Sequence, residues 1–229
     1  MDVRVIIAAG GSGSRFGQAV PKQFVKLGAD SILKHTVRCF EICDFVEEIV
    51  VVLPPDFGLA KGLGFSKVKH FVLGEKTRAE SVHAGLAKLC QGVHSIDTVV
   101  LIHDGVRPFA SKETIRRVAE LSLVHGAAIT ATKVTDTIKK VDGMGFVSET
   151  IQRDNLWRAA TPQGFRMDVL LESYKKATDM GYLEVATDEA FLAEKAGFAI
   201  VVAEGNPENI KITTPADKLM AEAILKMRG

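Results

Sequence analysis

Val5-Ile6-Ile7-Ala8-Ala9-Gly10-Gly11-Ser12-Gly13-Ser14-Arg15-Phe16-Gly17, followed shortly by Pro21-Lys22-Gln23, decides how this chain is read. An apolar, β-branched run breaks into closely spaced glycines and then a cation. That is a buried strand entering a phosphate-shaped loop. Glycine admits positive φ and lets a ligand approach the main chain with no Cβ in the way. Backbone N–H groups in such a turn converge on phosphate oxygens, and Arg15 and Lys22 add positive charge. A tight turn without a ligand would explain the glycines but not the two cations.

Two commoner nucleotide loops do not fit. A Walker-type loop needs a Gly-Lys-Ser or Gly-Lys-Thr step, and the chain has neither. A dinucleotide fingerprint needs G-x-G-x-x-G opening a helix; Gly11 and Gly13 fit, but Gly17 comes one residue late. Asp30 lies at a distance suited to a ribose contact, yet Pro21 and Gly28 interrupt the intervening segment.

Outward from the loop, strand and helix signals alternate. After the first strand (3–9), a helix is expected over 31–43, capped by Ser31, with Ile32, Leu33, Val37 and Phe40 on one face. Strands follow at 48–53 and 67–73, then a helix at 78–90 with Val82, Leu86 and Leu89 inward. A central strand at 98–102 ends at His103-Asp104. A helix at 111–125 starts at Ser111, and a strand covers 127–132. This alternation predicts an α/β fold, a three-layer arrangement of a mostly parallel twisted sheet with helices on both faces. Within 133–160 the rhythm breaks. Residues 137–141 and 146–151 flank Asp142-Gly143-Met144-Gly145, a hairpin signal, and an isolated hairpin needs cover for its apolar side chains. A partner subunit is one candidate. Helices at 167–180, 187–196 and 215–227 and a strand at 198–203 complete the pattern.

The 229 residues, 47% hydrophobic and 25% charged, suit a soluble globular protein, read here as a single domain over 1–229. A net charge of +1 implies no strong field for nucleic acid or membrane. Cys39, Cys43 and Cys90 show no metal-ligand spacing and read as small buried residues in a reducing compartment. No signal peptide or membrane span is evident, so a cytoplasmic location is expected.

Several further residues carry candidate chemistry. Ligands of open α/β sheets bind at the carboxyl ends of strands, which puts Asp104 on the same rim as the glycine loop. A carboxylate beside a nucleotide's phosphates reads as a Mg²⁺ ligand, and Arg107 as a grip on a second phosphate; a helix-start Asp paired with Arg is the plainer alternative. Gly74 to Ser81 opens a helix and either caps it or reads a base edge. Arg153, Trp157, Thr161 and Gln163 end the hairpin region. Thr187 is the natural N-cap of its helix. Lys211, between Ile210 and Ile212 in a short strand, points away from both, and is either solvated or aimed at a phosphate.

Taken together, Ala8 to Gly17, Pro21-Lys22-Gln23, Arg78 with Ser81, His103 to Pro108, Asp136-Thr137, Arg153 to Trp157, Thr161-Pro162-Gln163, Thr187-Asp188-Glu189 and Asn209-Ile210-Lys211 resemble one family over essentially the whole chain. It is the 2-C-methyl-D-erythritol 4-phosphate cytidylyltransferases, within the wider nucleotide-sugar pyrophosphorylase-like group. The resemblance implies a Rossmann-like nucleotidyltransferase that moves CMP from CTP to the polyol phosphate in non-mevalonate isoprenoid synthesis. It implies that Ala8, Ala9, Gly10, Gly11, Gly13, Arg15 and Lys22 hold CTP, that Gly74 and Ser81 meet cytosine and ribose, and that Asp104 binds Mg²⁺. Arg107, Thr161, Thr187 and Lys211 would hold the polyol phosphate. The 133–155 hairpin would be a dimer arm, sending Thr137 and Arg153 into the partner's site. Arg15, Lys22, Arg153 and Lys211 would carry the catalytic step. At Lys76 the chain departs from the acidic residue common in that family. Ribitol 5-phosphate cytidylyltransferases share much of the pattern, and a non-catalytic nucleotide-binding module is a third reading; Arg153 to Trp157 favours the methylerythritol enzyme.

Overall fold

Val3, Val5 and Ile7 face one apolar layer and Ile6 the other, so the first strand is buried on both sides. Continuous apolar runs of this kind belong to the middle of sheets covered by helices on both faces. The computed structural model describes residues 1–11, 20–54, 64–92, 95 and 97–228. Its elements run β1 (Val3–Ala8), a short 3-10 turn (Lys22–Phe24), β2 (Lys26–Leu27), β3 (Asp30–Ser31), α1 (Ile32–Glu41), β4 (Val46–Leu53), β5 (Val68–Leu73), α2 (Arg78–Leu89) and β6 (Val99–Asp104). There follow α3 (Lys112–His125), β7 (Ala127–Lys133), β8 (Ile138–Val141), β9 (Val147–Ile151), β10 (Trp157–Arg166), α4 (Met167–Asp179), α5 (Glu189–Lys195), β11 (Val201–Glu204) and α6 (Pro215–Met227).

Seven strands form one sheet in the order β11-β7-β10-β6-β1-β4-β5. β10 runs antiparallel to β6 and β7, and the other pairings are parallel. α1 and α3 cover one face through Leu33, Val37, Phe40, Ile115 and Val118. α2, α4 and α5 cover the other, with Val82, Leu86, Leu170, Tyr174 and Leu192 inward. α6 closes a smaller cluster over Leu27, Ile32, Val106 and Phe109. The expected three-layer α/β arrangement is therefore present.

Caps fix the helix starts. Ser31, Thr77, Ser111 and Thr214 each accept a backbone N–H three residues on, and Thr77 with Glu80 completes a reciprocal capping box.

Five expectations need correction. β10 was not anticipated, because Trp157 to Arg166 shows no apolar alternation and contains Pro162 and Gly164. Asp188, not Thr187, caps α5: its Oδ1 accepts the Phe191 N–H at 2.9 Å. The strand expected at 198–203 begins at Val201, since the Phe198 N–H still bonds the Ala193 carbonyl behind Gly197 at φ +89°. Residues 209–213 form no strand, because their main chain bonds to loops: Ile212 N–H donates to Val106 O. Among the cysteines, Cys43 is buried and Cys39 half-buried, but Cys90 is exposed.

The hairpin forms as expected. β8 and β9 make their own two-stranded sheet, and residues 135–150 are exposed. Asp142 Oδ1 accepts the N–H groups of Met144 and Phe146 and sets the turn. Val141, Met144, Phe146 and Val147 are largely uncovered.

Candidate active site

The carboxyl ends of β1, β4, β5 and β6 are stitched together by main-chain bonds. Ala9 N–H donates to Val52 O (2.9 Å), Gly74 N–H to Leu53 O (2.7 Å) and Gly105 N–H to Ala8 O (2.9 Å). Gly10 and Gly74 approach so closely that a Cβ on Gly74 would stand 3.0 Å from Gly10 Cα. A cleft of about 460 Å³ opens above this seam, lined by Ala8 to Gly11, Lys22, Gln23, residues 75–78, Ser81, Asp104, Val106 and Lys211.

Gln23, 2% exposed, donates from Nε2 to the carbonyls of Ala9 (2.7 Å) and Gly11 (2.9 Å). It thereby holds the start of the glycine loop against the turn that carries Lys22. Ser81 Oγ accepts the Glu75 N–H (2.8 Å) and donates to Thr77 O (2.8 Å), so its one proton is spent on shaping the second loop.

Asp104 sits where this cleft meets a second recess of about 160 Å³, lined by Arg78, Arg107, Ala159 to Thr161, Gln163, Thr187, Asp188 and Lys211. Three cations face its carboxylate. Lys211 Nζ lies 2.9 Å and Arg107 Nε 3.3 Å from Oδ2, and Arg78 Nε lies 3.3 Å from Oδ1. Burial pushes the Asp104 carboxyl upward, but Arg78, Lys211 and Arg107 outweigh it and hold the group below the usual carboxylate range. Its N–H donates to Thr161 Oγ1 at 3.0 Å, and Asn209 Nδ2 donates to Thr161 O at 2.8 Å. Next to it, His103 is buried and pushed down to about 4, chiefly by desolvation, and its Nε2 lies 2.9 Å from Arg107 O. It is a neutral structural ring, and none of the described histidines lines either recess.

Two adjoining recesses, one walled by a glycine seam and one by cations, suit a nucleotide and a second anionic substrate. Comparisons with known proteins bear on which. A profile of the 2-C-methyl-D-erythritol 4-phosphate cytidylyltransferase family matches residues 3–227. The chain belongs to this family. A relative named 2-C-methyl-D-erythritol 4-phosphate cytidylyltransferase from Geobacillus thermodenitrificans is 40% identical, covering 100% of this chain and 99% of its own. The crystal structure of the cytidylyltransferase from Thermus thermophilus superposes with a TM-score of 0.81 at 32% identity, covering 99% of this chain and 100% of that one. The Francisella tularensis structure gives 0.82 at 30% identity, with 97% and 98% covered.

Against the residue set that the cytidylyltransferase resemblance implied, Ala8, Ala9, Gly10, Gly11, Lys22, Ser81, Asp104 and Lys211 meet in the first cleft, with Gly74 at its seam. Arg107, Thr161, Thr187 and Lys211 meet in the second. Gly13 and Arg15 lie outside the described residues. Thr137 and Arg153 line neither recess; both are exposed at the hairpin, where Arg153 Nη1 donates to Thr135 O. Sequence reasoning gave no role to Gln23, Arg78 or Glu189. Their signal was a polar residue within an otherwise loop-like or helix-start segment, and only the fold shows that Gln23 and Glu189 are buried.

Proposed function

We propose that this chain transfers CMP from CTP to 2-C-methyl-D-erythritol 4-phosphate and releases pyrophosphate, a step of non-mevalonate isoprenoid synthesis. Family membership supports the reaction. The observation that carries it in this molecule is the junction at Asp104, where a nucleotide-sized cleft and a cation-lined recess share Arg78, Asp104 and Lys211. The substrate phosphate attacks the α-phosphorus, a new P–O bond forms, and the bond to the pyrophosphate oxygen breaks. A phosphate dianion is already nucleophilic at neutral pH, so no general base is required, in keeping with recesses that none of the described histidines lines.

The difficulty is charge. Lys22 and Arg15 would stabilise the triphosphate as negative charge moves onto the leaving group. Lys211, Arg107, Thr161 and Thr187 would hold the polyol phosphate in line, with Thr137 and Arg153 reaching in from a partner's arm. Gly10, Gly11, Gly74 and Ser81 would cradle the nucleoside.

Asp104 fits Mg²⁺ in donor chemistry. Mg²⁺ is commonly held by one or two carboxylates, with phosphate oxygens and waters completing the shell. Among the described residues no cluster of three or more His, Cys, Asp or Glu could hold a metal unaided. Three cations already face Asp104, so Asp104 would hold the ion only alongside the triphosphate oxygens. Bound there, it would neutralise phosphate charge.

The reading further takes residues 1–229 as one nucleotidyltransferase domain acting as a homodimer through the 133–155 arm. The exposed Val141, Met144, Phe146 and Val147 support this, since a lone hairpin is marginal in water. No helix among the described residues is long and apolar enough to cross a membrane, which agrees with a cytoplasmic enzyme.

Pyrophosphate release with CTP, Mg²⁺ and either methylerythritol phosphate or ribitol phosphate tests the reaction. Strong preference for methylerythritol phosphate is expected; equal or reversed preference overturns it. Mixed Lys22→Ala and Arg153→Ala subunits, each inactive alone, should recover activity in hybrid dimers. No recovery in verified heterodimers removes the arm from the site.

A further inference from the structure

Behind Arg78, away from both recesses, lies a carboxylate that no substrate can touch. Glu189 is 0% exposed at the first turn of α5. Both its oxygens contact Arg78 Nη1, Oε2 at 2.8 Å and Oε1 at 2.9 Å. Tyr174, 1% exposed, places its hydroxyl 3.2 Å from Glu189 Oε1 and 3.2 Å from the carbonyl of Ala79, the residue after Arg78. The Tyr174 ring is itself stacked on His83. The side chain of Arg78 and the main chain of the next residue are thus tied to one buried point.

Arg78 lines both recesses, and its hold on Asp104 is the looser of its two, 3.3 Å against 2.8 Å to Glu189. Arriving phosphates compete with Asp104 for the cations around it. They cannot compete with Glu189, which they cannot reach. A guanidinium tethered from behind keeps its place while its front partner is exchanged, which is what preorganised charge stabilisation requires.

We propose that Glu189, braced by Tyr174, is a positioning residue that fixes the Arg78 guanidinium as a shared wall of the nucleotide and polyol-phosphate recesses.

The start of α5 does not depend on this tether. Gln163 holds it separately, donating from Nε2 to Asp188 Oδ2 (2.8 Å) and accepting the Ala190 N–H at Oε1 (3.1 Å). Glu189→Gln therefore changes the charge behind Arg78 while the helix keeps its anchor. The inference rests on the proposed cytidylyltransferase reaction for its kinetic readout, so a second readout is taken without turnover.

Glu189→Gln should raise KM for both CTP and the polyol phosphate by about tenfold, a coupling of about 1.4 kcal/mol within one ion-pair network. The double variant Glu189→Gln/Arg78→Met should be no worse than Arg78→Met alone, because one residue acts through the other. Glu194→Gln, an exposed residue of the same helix, should match the wild type. Tyr174→Phe, which removes a single hydroxyl, should shift both KM values in the same direction by about threefold. The Arg78 Nη1–H resonance, assigned by its loss in Arg78→Met, should exchange with water about tenfold faster in Glu189→Gln than in wild type. A purely structural role predicts lower melting temperature with unchanged KM values in Glu189→Gln, and an independent role predicts losses that multiply in the double variant; either result overturns the proposal. Should Glu189→Gln not fold, unchanged KM values in Tyr174→Phe do the same. Wild type without turnover defeats the reaction instead, and the Nη1–H exchange then decides the tether: equal exchange in both proteins refutes it.

Discussion

Gly74→Ala tests whether the seam between β1 and β5 builds the nucleotide cleft. The added Cβ would meet Gly10 Cα at 3.0 Å, Leu53 O at 3.3 Å and Ser81 Oγ at 3.3 Å. Carbon atoms pack at about 3.5–4.0 Å, so the two loops must part by about 0.5–1 Å. Neither loop is free to yield, because Gly74 N–H is bonded to Leu53 O at 2.7 Å and Ala9 N–H to Val52 O at 2.9 Å. Overpacking of this kind costs about 1–3 kcal/mol, or about 2–12 °C in melting temperature for a chain of this size. A displacement near 1 Å at a reacting site costs about 100-fold in rate, so kcat/KM for CTP should fall by about that factor. Pyrophosphate release at varied CTP, with a thermal melt of the same sample, reads both quantities. Gly143→Ala, whose Cβ meets nothing within 4 Å, should melt within about 0.5 kcal/mol of wild type. Wild-type kcat/KM and melting temperature in Gly74→Ala would refute the reasoning, showing that the seam opens without consequence.

Lys22→Ala should lower kcat by about 100- to 1000-fold in steady-state kinetics, the loss typical of a charge-stabilising group; a change confined to KM would mean that ground and transition states are held equally. Asp188→Ala should cost about 1–2 kcal/mol in a denaturant melt as a lost N-cap, whereas Thr187→Ala should leave stability in place and raise KM for the polyol phosphate. Acid should unfold the protein partly through Asp104. Its folded pKa is depressed, so its stabilisation is complete above the unfolded value of about 4 and drains as pH falls below it. Asp104→Asn should therefore show a shallower loss of stability between about pH 4 and pH 2 in acid titrations followed by circular dichroism.

The sheet and its helices were legible because their residues obey local rules. Val5 to Ala9 is apolar throughout, α1 repeats its inward residues at helical spacing, and Ser31, Thr77 and Ser111 stand where caps belong. β10 was illegible for the converse reason. Its buried Thr161 and Gln163 are polar, and their partners, Asp104 N–H, Asp188 and Ala190, are remote in sequence. Thr187 and Asp188 are both able to cap, and only the backbone selects the second. Ile212 is fully buried while Lys211 reaches Asp104, so the two diverge, though not through the strand alternation that the sequence suggested. The pairing of Asp104 with Arg107 is local, but that Arg78 and Lys211 join it on one carboxylate is long-range information. It is carried by the order of strands, not by any stretch of residues.

β10 has one consequence for how the molecule bears load. Its outer end pairs with β7 at Trp157↔Lys133, the Val134 N–H bonds Leu156 O just beyond, and the hairpin follows. Its inner part carries Ala159, Ala160 and Thr161 into the second recess, then locks between β6 and β7. From Trp157 to Thr161 is about 13 Å along an extended chain, with no loop to absorb movement. The ladder pairs Trp157 to Ala160 with β7 and shifts register before Gln163, so a wedge driven under the hairpin would strain the strand at the Thr161 hydroxyl that steadies Asp104, without ever entering the site.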